Sequence, residues 1–272
     1  MPFPSNSTVL ESAENSSATN APAQWFEEGD AAKGAKITAF FIIFLACLLG
    51  NSLLIAVVYK NTNQRMRTSS NYLIANMACA DMFLVAYTVP QSSVLTATDF
   101  RWLISGVAGE LFCSLYLFVP QMTALVSTGT LFFIALDRYF LVFYPLKRMI
   151  TPRIARRIIA GTWFFAIIFS APLFILVTLI ELRSTILLCT VNFSILGLFI
   201  VYFLFCYIPI MVTPLVITII LCIAIGLKIK RVTPPGNQLP STLERRERMT
   251  HKVLTMLVAV VAVLIEIGRA HV

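Results

Sequence analysis

The sequence predicts an all-α membrane protein, and three observations predict it. Of its 272 residues 58% are hydrophobic and 12% charged, where a water-soluble domain would have about a quarter of its positions charged. The apolar residues gather in runs at 37–59, 72–95, 111–143, 158–180 and 195–227, each long enough to supply the ~20 residues that a bilayer-crossing helix needs. Lys and Arg then sort by side: sixteen fall in alternate connections and four in the others, with Arg269 in the terminal tail. Basic residues are retained in the cytoplasm, so the sixteen mark that face and the N-terminus lies outside. Helices are expected at 37–59, 70–95, 111–143, 155–180 and 195–229, with a sixth starting over 250–265.

Residues 1–36 carry Asn, Ser, Pro and five acids without an apolar h-region, so they read as an exported, disordered tail rather than a signal peptide. Asn6 and Asn15 there, and Asn192 after the fourth run, stand in glycosylation sequons. All three come out on the extracellular side of the charge-derived topology. Localisation in the plasma membrane, as a multi-pass protein, follows from the same reading.

Helix one holds Asn51 and helix two holds Asp81, the one charge inside its run. An unpaired carboxylate in a bundle costs several kcal/mol, so Asp81 needs partners. Asn51 and Ser127 lie at similar depth and either could face it. A hydrogen-bonded knot that fixes helix packing and a cation site are both open readings.

Helix three is uncharged from 111 to 136 and ends in Asp137-Arg138-Tyr139, with Cys113 25 residues before Arg138. At ~1.5 Å per residue those positions are roughly 37 Å apart, one at each membrane face. Cys113 opens the helix outside and Cys189 lies in the second extracellular loop, an oxidising setting that favours a disulfide. The loop at 183–193 is rich in β-branched and aromatic residues and is expected to form a short hairpin lid. Cys47, Cys79, Cys206 and Cys222 lie inside apolar runs and read as small buried hydrophobes. Pro90, Pro120, Pro172, Pro209 and Pro214 are expected to kink the helices, mostly in their outer halves, and to splay the bundle into a cup.

These residues resemble the rhodopsin-like G protein-coupled receptors over about 37–265. The resemblance is carried by Gly50-Asn51, the helix-two stretch LIANMACAD at 73–81, Trp102 and Gly106 before Cys113, and Asp137-Arg138-Tyr139 followed by Pro145-Leu146. Trp163 with Pro172, Cys189 and Pro214 complete the order. It implies a seven-transmembrane bundle of which five helices and part of the sixth are present. Within the family the chain looks most like the peptide receptors, near those for neuropeptide Y, neuropeptide FF, tachykinins and orexin. Where amine receptors have a ligand-pairing aspartate, 18 residues before the motif's Arg, this chain has Pro120.

The resemblance implies an extracellular peptide ligand, a heterotrimeric G protein at Asp137, Arg138, Tyr139, Pro145 and Leu146, and a sodium ion among Asn51, Asp81 and Ser127. Asp137 is expected to pair with Arg138 at rest. Gln91, Trp102, Gln121 and Glu181 are the candidates to line the ligand cup, with Pro120 shifting Gln121 into it. No other cofactor or metal is expected. Two departures stand out: Cys222 replaces a tyrosine eight residues after Pro214, and Thr250 replaces the acid that some members place at the foot of helix six, with Glu247 one turn away.

Beyond 265 the apolar run gives way to Glu, Arg and His. Residues 266–272 look like an in-frame translation of a sequencing adapter and are set apart from the fold. Outer acids exceed outer bases by roughly four charges, a field that fits either steering of a basic peptide or an ordinary solvated tail. The net charge of +8 is mostly topology, with attraction to anionic lipid as a second effect, and is not a nucleic-acid patch. An enzyme is disfavoured, since the sequence has no Gly-rich phosphate loop, metal cluster or triad. The remaining alternatives are a receptor of this fold for a non-peptide ligand and, from another class, a membrane transporter or channel.

Overall fold

The computed structural model describes residues 29–60, 68–144, 149–182 and 186–232. The expected sixth helix at 250–265, the tail residues Asn6 and Asn15, and Pro145 and Leu146 lie outside the described residues, as do Glu247, Thr250 and 266–272.

In chain order the helices are α1 (Asp30–Lys60), α2 (Ser69–Ala97), α3 (Gly106–Phe143), α4 (Pro152–Ser170) and α5 (Leu173–Leu176). A hairpin of β1 (Val177–Leu182) and β2 (Ile186–Val191) follows. After a 3₁₀ turn at Phe193–Ile195, α6 (Leu196–Val201), a π segment at Tyr202–Tyr207 and α7 (Ile208–Val232) form one long rod. Among the described residues five helical stretches are long and apolar enough to cross a membrane, the fourth including α5 and the fifth running from Phe193 to Lys228.

Local chemistry sets the helix starts. Thr68 caps α2 by accepting from Asn71 N, and Thr151 caps α4 by accepting from Ile154 N, with Pro152 filling the first-turn position whose N–H needs no partner. The α4 boundary differs from the expected 155–180. Pro172 follows a break at Ser170, and 177–182 leaves the helix to pair with 186–191. The apolar letters of VTLIEL continue the hydrophobic run, yet half of them are β-branched and the antiparallel partner decides for strand. The lid therefore begins six residues before the loop at which the sequence placed it.

α3 is the axis of the bundle, packed by α2, α4, α7 and the hairpin. Its core is layered along its length. The cluster at the hairpin end, the outer end in the expected topology, holds Leu95, Trp102, Cys113, Leu173, Leu176, Val177 and Tyr202. A middle one holds Ala80, Met122, Leu125, Val126 and Ala166, and an inner one Leu73, Ile134, Ile150 and Ala155. α1 packs on α2 and buries no residue, while Phe41, Ile42, Leu49 and Leu53 point outward. Such a carbon-covered exterior suits a lipid medium and would be an aggregation surface in water. Two of the cysteines expected to be buried, Cys79 and Cys206, also face outward.

Candidate functional site

At the inner end of α3, Asp137 is 4% exposed. Its partners are two hydroxyls from the first turn of α2: Ser69 donates to Oδ1 at 3.0 Å and Ser70 donates to Oδ2. Charge-assisted hydrogen bonds of this kind are about twice as strong as neutral ones. Asp137 and Arg138 form no contact ion pair, because the carboxylate is turned toward α2 and satisfied there, although Asp137 remains the charge that acts on Arg138 through space. Successive residues on a helix point about 100° apart, so one can face a neighbouring helix while the next cannot. Arg138 is half-buried and its Nε has no hydrogen-bond partner among the described residues. Tyr139 stacks on Phe143 with ring centres 4.3 Å apart, and the Lys228 ammonium of α7 stands 5.8 Å above the Phe143 ring. The inner end therefore presents a guanidinium beside an aromatic pair, with its neighbouring acid already engaged.

Farther up, Ser127 donates to Asp81 Oδ1 at 3.4 Å, as one of the two expected contacts. The other does not form. Asn51 donates within its own helix, to the Cys47 carbonyl at 2.9 Å and to Cys47 Sγ at 3.2 Å, and Cys47 in turn reaches the Asp81 carbonyl at 3.8 Å. Asp81 and Ser127 bring three oxygens of the kind a hard cation prefers to one depth between α2 and α3. No group of three or more His, Cys, Asp or Glu side chains suited to a metal occurs among the described residues.

Between these two levels lies a junction that sequence reasoning missed. Asn76 Nδ2 donates to Thr130 Oγ1 at 3.0 Å, and Trp163 Nε1 donates to Asn76 Oδ1 at 2.8 Å. One buried amide thus ties α2 to both α3 and α4. In the sequence Asn76 was a polar letter within 73–81, five residues from Asp81 and so on a different face of the helix, and Trp163 stood out only as part of the family resemblance. Ser69 and Ser70 gave less still, since adjacent serines at a helix start read as ordinary first-turn residues.

The outer end is built differently. Cys113 and Cys189 form the expected disulfide, with Cα atoms 5.5 Å apart, which fixes β2 to the start of α3. Trp102 N donates to the Leu187 carbonyl at 2.8 Å, adding a strand-like bridge to the hairpin. Gly109 is required there: a Cβ at that position would sit 2.1 Å from the Ile104 carbonyl oxygen. Lys33 of α1 pairs with Asp99 at 2.7 Å in the turn before α3.

The expected cup residues divide. Trp102 is 7% exposed and packs edge-on to Tyr116, so it supports the loop from beneath instead of lining a cup. Gln121 is 6% exposed and donates to the Tyr202 hydroxyl, which donates to the Phe169 carbonyl at 2.5 Å. Pro120 does not turn Gln121 into a cup; the amide is spent joining α3 to the π segment and α4. Gln91 is half-buried beside the Tyr87 phenol, and Glu181 is exposed on β1 opposite Leu187. Asn192 is half-buried and accepts from Ser194 N at 3.1 Å in the turn after β2. Cys222 fills space against Met77 and Leu131 where α7 meets α2 and α3.

The chain is similar to Neuropeptide receptor 22 of Caenorhabditis elegans, at 33% identity over 165 residues, which are 59% of this chain and 37% of that protein. It is 36% identical to the RYamide receptor of Drosophila melanogaster over 131 residues, covering 48% of this chain and 27% of the relative. The trissin receptor of the same fly is 30% identical over 141 residues, 51% of this chain and 20% of the relative. The chain thus spans little more than a third of the length of these curated relatives, or less. Residues 50–266 match the family described as 7 transmembrane receptor (rhodopsin family). With five apolar spans, an outer disulfide and Asp137-Arg138-Tyr139 at the far end of the central helix, the chain belongs to the rhodopsin family of seven-transmembrane receptors.

Proposed function

We propose that the protein is a plasma-membrane receptor for a neuropeptide, with its N-terminus outside, which passes ligand binding at the hairpin end to a heterotrimeric G protein at the Asp137-Arg138-Tyr139 end. The carrying observation is the unanswered Arg138 Nε beside an acid that two serines already hold. A guanidinium with spare donors at a membrane rim is suited to backbone carbonyls or carboxylates of a partner helix. The relatives' names, a neuropeptide receptor and receptors for RYamide and trissin, support a peptide ligand. The exposed Glu181 on the lid supports a ligand with positive charge.

In this reading the bundle has two states, and the ligand shifts their populations by its differential affinity. Ser69 and Ser70 keep Asp137 on α2 in the resting state, which leaves Arg138 free to be claimed when the inner end opens. Asp81 and Ser127 would hold a sodium ion, which would supply a positive charge against the buried carboxylate. In a receptor completed through helix seven, Arg138→Ala abolishes ligand-stimulated nucleotide exchange and leaves peptide affinity within about two-fold. Undiminished exchange in that variant would falsify the role.

A further inference from the structure

On the outside of the bundle a groove of about 630 Å³ runs between α3, α4 and α7. Thr128 and Gly129 form its α3 side, Gly161 and Thr162 its α4 side, and Pro209 and Thr213 its α7 side. Two features of sequence make it. The two glycines leave its floor without side chains: a Cβ on Gly129 would meet Thr162 Cγ2 at 3.4 Å, an ordinary contact, and a Cβ on Gly161 would meet nothing within 4 Å. The α7 wall is held off by a helix that begins in a π segment and carries Pro209 and Pro214, neither of which can donate to the turn before it. None of the three walls uses residues beyond the described chain.

We propose that this groove binds one acyl chain of an anionic phospholipid whose headgroup sits on the first turns of α4. Three observations carry it. The α3 wall runs from Leu125 to Phe133, roughly 12 Å at the α-helical rise, against about 15 Å of hydrocarbon in one leaflet, so the groove is as long as a chain from one side of the membrane. Arg157 lies four residues before Gly161, hence on the same face and one turn nearer the membrane edge. Arg153, Arg156 and Arg157 are all exposed, and none forms an ion pair with a described carboxylate. A sterol would leave those three cations unanswered, and a neutral phospholipid would satisfy them only in part. The preference for an anionic headgroup is about five-fold for each charge near an acidic surface.

The test uses the 272-residue chain in symmetric nanodiscs, so that it does not depend on which end is cytoplasmic or on signalling. Phosphatidylserine and phosphatidylcholine probes with the same diazirine-bearing acyl chain are photolysed, and labelled peptides are mapped by mass spectrometry. The expected result is labelling at 125–133 and 158–165, at least five-fold higher with the phosphatidylserine probe. Gly161→Phe fills the open space and removes groove labelling, while Arg157→Gln lowers the phosphatidylserine yield toward that of phosphatidylcholine. Retention of the Cys113–Cys189 disulfide shows that each variant is folded. Equal yields from the two probes, labelling that survives Gly161→Phe, protection by added sterol, or crosslinking of the groove to a second copy of the chain would each overturn the proposal.

Discussion

At its outer end α3 is fastened by a covalent bond to β2, a backbone bridge from Trp102 to the hairpin and a glycine contact too close for any side chain. At its inner end the corresponding fastening is two serine hydroxyls on one carboxylate, next to an arginine nitrogen with no partner. The first set cannot rearrange without breaking a bond or unfolding a turn. The second exchanges hydrogen bonds for others at a net cost of about 1.5–3 kcal/mol each, the range in which a ligand can shift a population. One helix thus carries an end fastened by a covalent bond and an end fastened by exchangeable hydrogen bonds.

The contrast is broken most severely at the disulfide. Cys113→Ser or Cys189→Ser should cost about 2–5 kcal/mol and detach the lid, seen as lost cell-surface display of a complete receptor. Surface display at the parental level would show that hairpin packing alone fixes the outer end. Next, Gly109→Ala pushes a methyl against the Ile104 carbonyl and should lower stability by about 1–3 kcal/mol, read as a drop in Tm, with no change in basal nucleotide exchange. A rise in basal exchange would mean that the two ends are not separable.

At the inner end the expected effect changes kind. Ser69→Ala combined with Ser70→Ala removes both hydrogen bonds that tie α3 to α2 in the resting state and should raise ligand-independent exchange by about ten-fold or more, with a drop of several degrees in Tm, since each charged hydrogen bond is worth about 1.5–3 kcal/mol. If Asp137→Asn gives the same increase and the triple variant adds nothing, the serines act through the carboxylate. The smallest effect is expected at Lys228→Ala, where an exposed cation over Phe143 contributes about 0.5–1 kcal/mol and basal exchange should rise no more than about five-fold.

What the sequence made legible follows the same division. Apolar runs set the five spans because a bilayer demands length and tolerates few charges, and Cys113 and Cys189 stood out because one opens a run at its very start and the other lies between runs. Contacts between helices were another matter. Asn51 and Ser127 had equal claims on Asp81 by depth, and only the rotation of α1, which depth does not fix, sent Asn51 to Cys47 instead. Gln121 read as a ligand contact from the resemblance to peptide receptors, with Pro120 expected to shift it into the cup. Its partner was Tyr202, in a π segment that no periodicity announces. The hairpin's first strand was hidden for a related reason: its residues are as apolar as the helix before it, and the partners that define it lie four to fourteen residues further on.

The two described indoles occupy opposite electronic settings. Trp163 gives its N–H to Asn76 at the meeting point of three helices, while the Trp102 N–H is buried with no acceptor. In a ¹⁵N-indole spectrum they should separate clearly, one shifted downfield by its bond and the other left where an apolar environment puts it. Once the third signal, that of Trp25, is assigned, these two serve as labels, one under the lid and one in the bundle, and a single spectrum can tell which end of the molecule a ligand or a lipid has reached.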